Sequence, residues 1–153
     1  MKTFLSLLLA IIVLPLITAC VTPQKILADA KVRELCEKDG GITVYETVTL
    51  PAERFEGSGS IYIPPKRLAK PDDAYYYERT THYEKKGNPE MWRSHTKVYR
   101  RSDEKLLGEA ISYARRGGDI PGPWHPSSFR CPENAGLNDL NKQIFIKEQR
   151  ENL

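Results

Sequence analysis

Few residues in this chain are able to do chemistry, and they are scattered. Three cysteines, Cys20, Cys36 and Cys131, and three histidines, His82, His95 and His125, stand far apart. No C-x2-C or H-x3-H spacing joins them, so tetrahedral zinc ligation is a poor reading. Ser127 and Ser128 follow His125, with Asp119 a little upstream. Such a group supports acyl transfer only if the fold orients an acid behind the imidazole, and adjacency does not supply that geometry. With 20 acidic residues a carboxylate pair for sugar hydrolysis is always available, so picking one carries no information. The chain has no G-x-S-x-G elbow, no H-E-x-x-H, no P-loop and no G-x-G-x-x-G. The reading is that the protein is not an enzyme: no catalytic residue, no cofactor and no metal.

Cys20 is the exception, because of what precedes it. Lys2 is the only charge before Lys25, and Phe4 to Leu14 is almost wholly aliphatic. A charged start followed by an apolar run of about 7–15 residues is the pattern of a secretory signal. The rival is a membrane-spanning helix. Phe4 to Val21 gives 18 uncharged residues, the short end of the span range. Pro15 falls inside that run, and no positive cluster follows it. Ile17-Thr18-Ala19-Cys20 then resembles a bacterial lipobox: aliphatic, small, Ala or Gly, Cys. The resemblance implies diacylglycerol on the Cys20 thiol and cleavage before Cys20. It also implies acylation of the new amino group, as by palmitate. One chain holds a protein only marginally, whereas two or more anchor it stably. Val21 stands where Asp often marks inner-membrane retention, so the expected place is the periplasmic face of the outer membrane. The expected organisation is a leader over 1–19, a lipidated tether over 20–22, and a single extracytoplasmic domain over 23–153.

With Cys20 assigned to lipid, Cys36 and Cys131 remain in an oxidising compartment. An even pair there is expected to form a disulfide, the alternative being two free buried thiols. The bridge would close a loop of about 95 residues. Composition adds little. The 153 residues suit one domain, and the net charge of +3 is too small to argue for nucleic acid. Loss of the leader takes Lys2 and leaves about +2. Eleven prolines and ten glycines favour strands and loops over a helical bundle.

The rest of the chain reads as an α+β domain. In it an N-terminal helix packs on a small, mainly antiparallel sheet with a long Pro/Gly-rich loop. Thr22 as cap and Pro23 at the first helical position start a helix over 23–39. Ala28, Val32, Leu35 and Cys36 make its apolar stripe, and Gly40-Gly41 stops it. ITVYETVTL (42–50) alternates as one strand, Ile61–Ile63 as a short one, and 74–83 as another with Tyr75, Tyr77 and Tyr83 on one face. The tyrosines read as cross-strand packing or, alternatively, as a stacking surface for sugar or peptide.

Residues 91–118 read as a hairpin turning at Asp103-Glu104. That register puts Trp92, Val98, Leu107, Ile111 and Tyr113 on a core face. It puts Arg93, His95, Lys97 and Arg101 on the other face, opposite Gly108, Ala110, Ser112 and Ala114, with Arg116 extending it. Long basic side chains facing small ones would form a cationic shelf for an anionic envelope component or a protein; the alternative is a solvated face partly covered by the helix. A slip of one residue would exchange the faces. Residues 117–136 form the long loop, in which Trp124 and His125 either fold over a core edge or meet a ligand. Leu137–Asn141 reads as a helical turn and Ile144–Ile146 as a last strand.

CEKDGGITVYETVTLP, VYRRSDEKLLGEAISYARRGGDIPGPWHPSSFRC and the terminal IFIK are similar to a family of small, uncharacterised bacterial lipoproteins. The resemblance covers most of residues 34–147. It implies a secreted α+β domain with the two cysteines in place, and brings no activity and no catalytic residue. The functions that follow are a membrane-anchored binding or scaffolding module and, as an alternative, an inhibitor or phage or mobile-element exclusion lipoprotein using the PGPWHP loop as a plug. A cell-wall hydrolase is the weakest.

Overall fold

The computed structural model of the chain describes residues 22–122 and 125–149. The leader, Cys20 and Trp124 lie outside the described residues. The elements run α1 (Pro23–Asp39), β1 (Gly41–Val44), β2 (Val48–Leu50), β3 (Tyr75–Lys85), β4 (Glu90–Arg100), β5 (Lys105–Arg116), β6 (Ser128–Cys131), α2 (Leu137–Ile144) and β7 (Phe145–Lys147). Among the described residues two α-helices and a mainly antiparallel sheet make an α+β domain.

Helix α1 begins and ends where its punctuation dictates. The Thr22 hydroxyl accepts from the Lys25 amide at 3.2 Å, and Pro23 fills a position that needs no N–H. At the other end the Gly40 amide donates to the Cys36 carbonyl at 2.8 Å. A Cβ on Gly40 would come within 2.6 Å of that carbonyl, so only glycine passes there. Ala28, Val32 and Cys36 bury one side of the helix against Met91 and Tyr113, with Phe129 and Cys131 at the margin. Cys36 and Cys131 form a disulfide, their Cα atoms 5.8 Å apart.

The sheet has the order β1-β5-β4-β3. Along its other edge β5 pairs first with β1, at Gly108–Ile111, and then with β6, at Tyr113–Arg116. The face opposite α1 carries Val98, Leu107 and Ala110, which pack on Ile61, Ile63, Leu140, Ile144 and Phe145. Gly108 lies beneath α2: a Cβ there would meet Thr43 backbone at 2.9 Å and Ile144 at 3.0 Å. The short parallel pair β2–β7 flanks this core.

Three local expectations change. ITVYETVTL is two strands in two sheets, because the amides of Tyr45 and Glu46 both donate to the Leu107 carbonyl and bend the chain there. Ile61–Ile63 keeps its alternation, Ile61 and Ile63 buried and Tyr62 exposed, without joining a ladder. The hairpin register also differs by one residue: Val98 faces Gly108 and Thr96 faces Ala110. The turn is the four residues 101–104, closed by the Arg100–Lys105 pair, with Glu104 left-handed at φ 53°. Leu107 is an extra residue bulged opposite Val98 and Tyr99.

Candidate binding surface

The register shift remakes the expected cationic shelf. Arg93, His95 and Lys97 do share one face of β4, as a period of two requires. Their cross-strand neighbours on β5 are Tyr113, Ile111 and Glu109, not the small residues. Gly108, Ala110, Ser112 and Ala114 occupy the opposite face with Val98 and Thr96. Ile111 and Tyr113, expected in one core with Val98 and Leu107, sit on the α1 side. The shelf is therefore a row of mixed charge.

Each basic group in it has an acidic neighbour. The Arg93 guanidinium donates to Asp39 at 2.9 Å and to the Tyr113 hydroxyl at 3.1 Å. Tyr113 donates in turn to the other Asp39 oxygen at 2.7 Å. Glu109 is shared: Tyr45 donates to one oxygen at 2.5 Å, and His95 Nε2 meets the other at 2.5 Å. Lys97 stands between Glu78 on β3 and Glu109 on β5. Arg101 lies off the row, at the hairpin turn, where it donates to the Asp73 carbonyl at 3.0 Å. Arg116 is exposed at the far end of β5, and His125 is exposed in the long loop. The seven candidate residues thus form one row of three and separate outliers, with Trp124 outside the described residues.

The electrostatics follow from these contacts. The Tyr45 hydrogen bond, opposed by burial and helped by His95, holds the Glu109 carboxyl below its ordinary value. Burial pushes Asp39 up, but hydrogen bonds from Tyr113 and Arg93 outweigh it and the net shift is downward. Both carboxylates bind fewer protons folded than unfolded. Their contribution is fully present above the unfolded carboxyl range of about 4 and is lost as the pH falls through the lowered values. The urea midpoint is expected to hold from about pH 7 to 5 and to fall below about pH 4. The gap between wild type and Glu109→Gln should shrink over the same acid window; a gap independent of pH would contradict this account of Glu109.

A second polar cluster holds the long loop. Arg115, on the α1 face of β5, is 2% exposed. Its Nε and Nη2 reach the two Asp29 oxygens at 2.7 and 3.2 Å. Its Nη1 reaches the carbonyls of Gly117 and Ser127 at 2.8 and 2.9 Å and the Ser127 hydroxyl at 2.8 Å. The Ser127 hydroxyl donates onward to Asp119 at 2.7 Å, and Lys25 donates to the same oxygen at 2.9 Å. Hydrogen bonds from Lys25 and Ser127 hold Asp119 well below the usual carboxylate range. Asp119 thus meets Ser127 directly, with no imidazole between them. The serine hydroxyl both donates and accepts within the cluster, an arrangement that ties loop to helix and does not free a nucleophile.

Sequence reasoning missed Asp39, Tyr45, Glu109 and Tyr113 as partners of the row, and Asp29 as partner of Arg115. The register links Glu109 and Tyr113 to β4, and only the placement of α1 and of the bend after β1 brings in Asp39, Asp29 and Tyr45. Among the described residues no group of three His, Cys, Asp or Glu side chains is placed to hold a metal ion, and no helix is long and apolar enough to cross a membrane. The row is half-buried on the α1 side of the sheet, each basic group beside an acidic one. A comparison with protein-family models, with curated proteins and with solved structures finds no match.

Proposed function

We propose that the protein is a bacterial envelope lipoprotein, acylated at Cys20, that works as a binding or scaffolding module. The observation that carries this reading is the run Ile17-Thr18-Ala19-Cys20 placed directly after an aliphatic leader. Support comes from the short distance between Cys20 and the folded domain. Only Val21 and Thr22 separate it from α1, and the two links from Cys20 to Thr22 span at most about 7 Å. The tether gives the domain little reach. Its partners are the membrane that holds the lipid and a polar or charged envelope component, with the Arg93–His95–Lys97 row as the contact surface. No nucleic acid and no cofactor enters the reading, and the expected place is the periplasmic face of the outer membrane.

A Cys20→Ala chain tests it. The substitution removes the only acylation site in the reading, so incorporation of labelled fatty acid should fall to background and the protein should leave the membrane fraction. A mutant that labels and fractionates like the wild type contradicts the proposal.

A further inference from the structure

The end of the domain nearest Cys20 has an unusual surface. Ile26 and Leu27, in the first turns of α1, are 55% and 71% exposed. A helix on a soluble domain ordinarily turns such residues inward. Leu27 lines a shallow groove of about 250 Å³ with Gln24, Ala28, Lys31, Lys85 and Met91. Lys86 follows Lys85 in the β3–β4 turn, its ammonium 5.9 Å from the Tyr83 ring centre. That turn belongs to the same end. A Cβ on Gly118 would lie 3.2 Å from Pro89 and 3.3 Å from Lys25, so turn, loop and helix start are packed together. The Thr22 hydroxyl donates to the Gly118 carbonyl and closes the group. Arg116, opposite Glu90 in the ladder, ends β5 there and is exposed, and Ile120 is 41% exposed beside it in the loop. Lys31 shares its ammonium with Glu34 at 2.8 Å, so the cationic part of the surface rests on Lys85, Lys86 and Arg116.

Exposed aliphatic side chains rimmed by long basic ones are what an interfacial contact with an anionic bilayer uses. Leu27 is about 7.5 Å along the chain axis from Thr22, and the acylated residue is within about 7 Å of Thr22. We propose that this end of the domain docks on the bilayer that holds the lipid, with Ile26 and Leu27 in the interfacial layer and Lys85, Lys86 and Arg116 on anionic headgroups. The proposal rests on acylation at Cys20. It also fixes an orientation. The 11 residues of β4 extend about 33 Å, so the Arg101–Glu104 turn is carried outward, while Arg93, three residues from Glu90, lies only about 10 Å along the strand.

The test is amine footprinting of the full lipidated protein by mass spectrometry. The protein is held in phosphatidylglycerol-containing vesicles, in phosphatidylcholine vesicles or in detergent micelles. Lys85 and Lys86 should acetylate about fivefold more slowly in the anionic vesicles than in detergent, and less slowly in phosphatidylcholine. Lys105 and Lys142, exposed elsewhere, should react equally in all three. The double variant Ile26→Glu, Leu27→Glu should lose the protection while keeping its acyl mass and its melting temperature. Equal lysine rates in vesicles and detergent, with the acyl mass present on Cys20, overturn the docking and leave the anchor standing. Equal protection in both lipids overturns the headgroup contact. Protection that survives the double variant overturns the apolar contact. Absence of acyl mass on Cys20 overturns anchor and docking together.

Discussion

Replacing Arg115 by alanine is expected to destabilise the domain by about 3–5 kcal/mol, the cost of removing one partner of a buried ion pair. The guanidinium is almost wholly buried and spends its donors on Asp29, Gly117 and Ser127, so it joins α1, the end of β5 and the loop after it. Its loss leaves the Asp29 carboxylate facing the sheet without its cation, and leaves the Gly117 and Ser127 carbonyls without a donor. Arg115→Lys should recover little, because one ammonium cannot reproduce the forked contact with Asp29. Lys142→Ala, at an exposed site, should stay within about 0.5 kcal/mol of wild type. Urea unfolding followed by far-ultraviolet circular dichroism measures all three. An Arg115→Ala midpoint equal to that of wild type would mean that the loop and helix are held by other contacts.

The second large effect is expected from the disulfide. The Cys36–Cys131 bridge spans 95 residues, and the chain-entropy account assigns such a loop about 4.7 kcal/mol. The double replacement Cys36→Ala, Cys131→Ala should therefore lower stability by about 2–5 kcal/mol. The same loss should appear in the wild type once it is reduced, and the reductant should leave the double variant unchanged. If reduction shifts both proteins equally, the effect is not that of the bridge. The connection also has a mechanical sense. It ties the C-terminal end of α1 to β6, while Arg115 and Thr22 tie the N-terminal half of α1 to the long loop. The start of α1 is thereby coupled to the sheet.

The parts of this structure that were legible in the sequence are those that local chemistry decides. Thr22-Pro23, the apolar stripe through Cys36, and Gly40-Gly41 delimit α1 with the bounds observed, because capping, ring geometry and glycine act within a few residues. The cysteine pair was legible by parity, once Cys20 was set apart as a lipid site. The shared face of Arg93, His95 and Lys97 was legible as well, since a strand alternates whatever it pairs with. Their neighbours were not. Those depend on a four-residue turn with a left-handed glutamate and on the bulge at Leu107, and SDEKLL announces neither. One residue of register moved Gly108 and Ala110 beneath α2 and brought Glu109 and Tyr113 beside the basic row. The split of ITVYETVTL has the same origin, for the bend at Tyr45-Glu46 is made by the carbonyl of the bulged residue, far away in sequence. Ion pairs such as Arg115–Asp29 come last, because they need both the helix face and the sheet register.

These contacts fasten the start of α1 to the sheet and the long loop, and the proposed function turns on what Cys20 carries. The decisive measurement is the mass of the N-terminal peptide of the protein isolated from the membranes of the cell that makes it. The predicted result is a peptide that begins at Cys20 and bears a diacylglycerol on the thiol and an acyl chain on the amino group. A peptide that begins at Met1, or at any residue other than Cys20, or one that begins at Cys20 with no added mass, would contradict it.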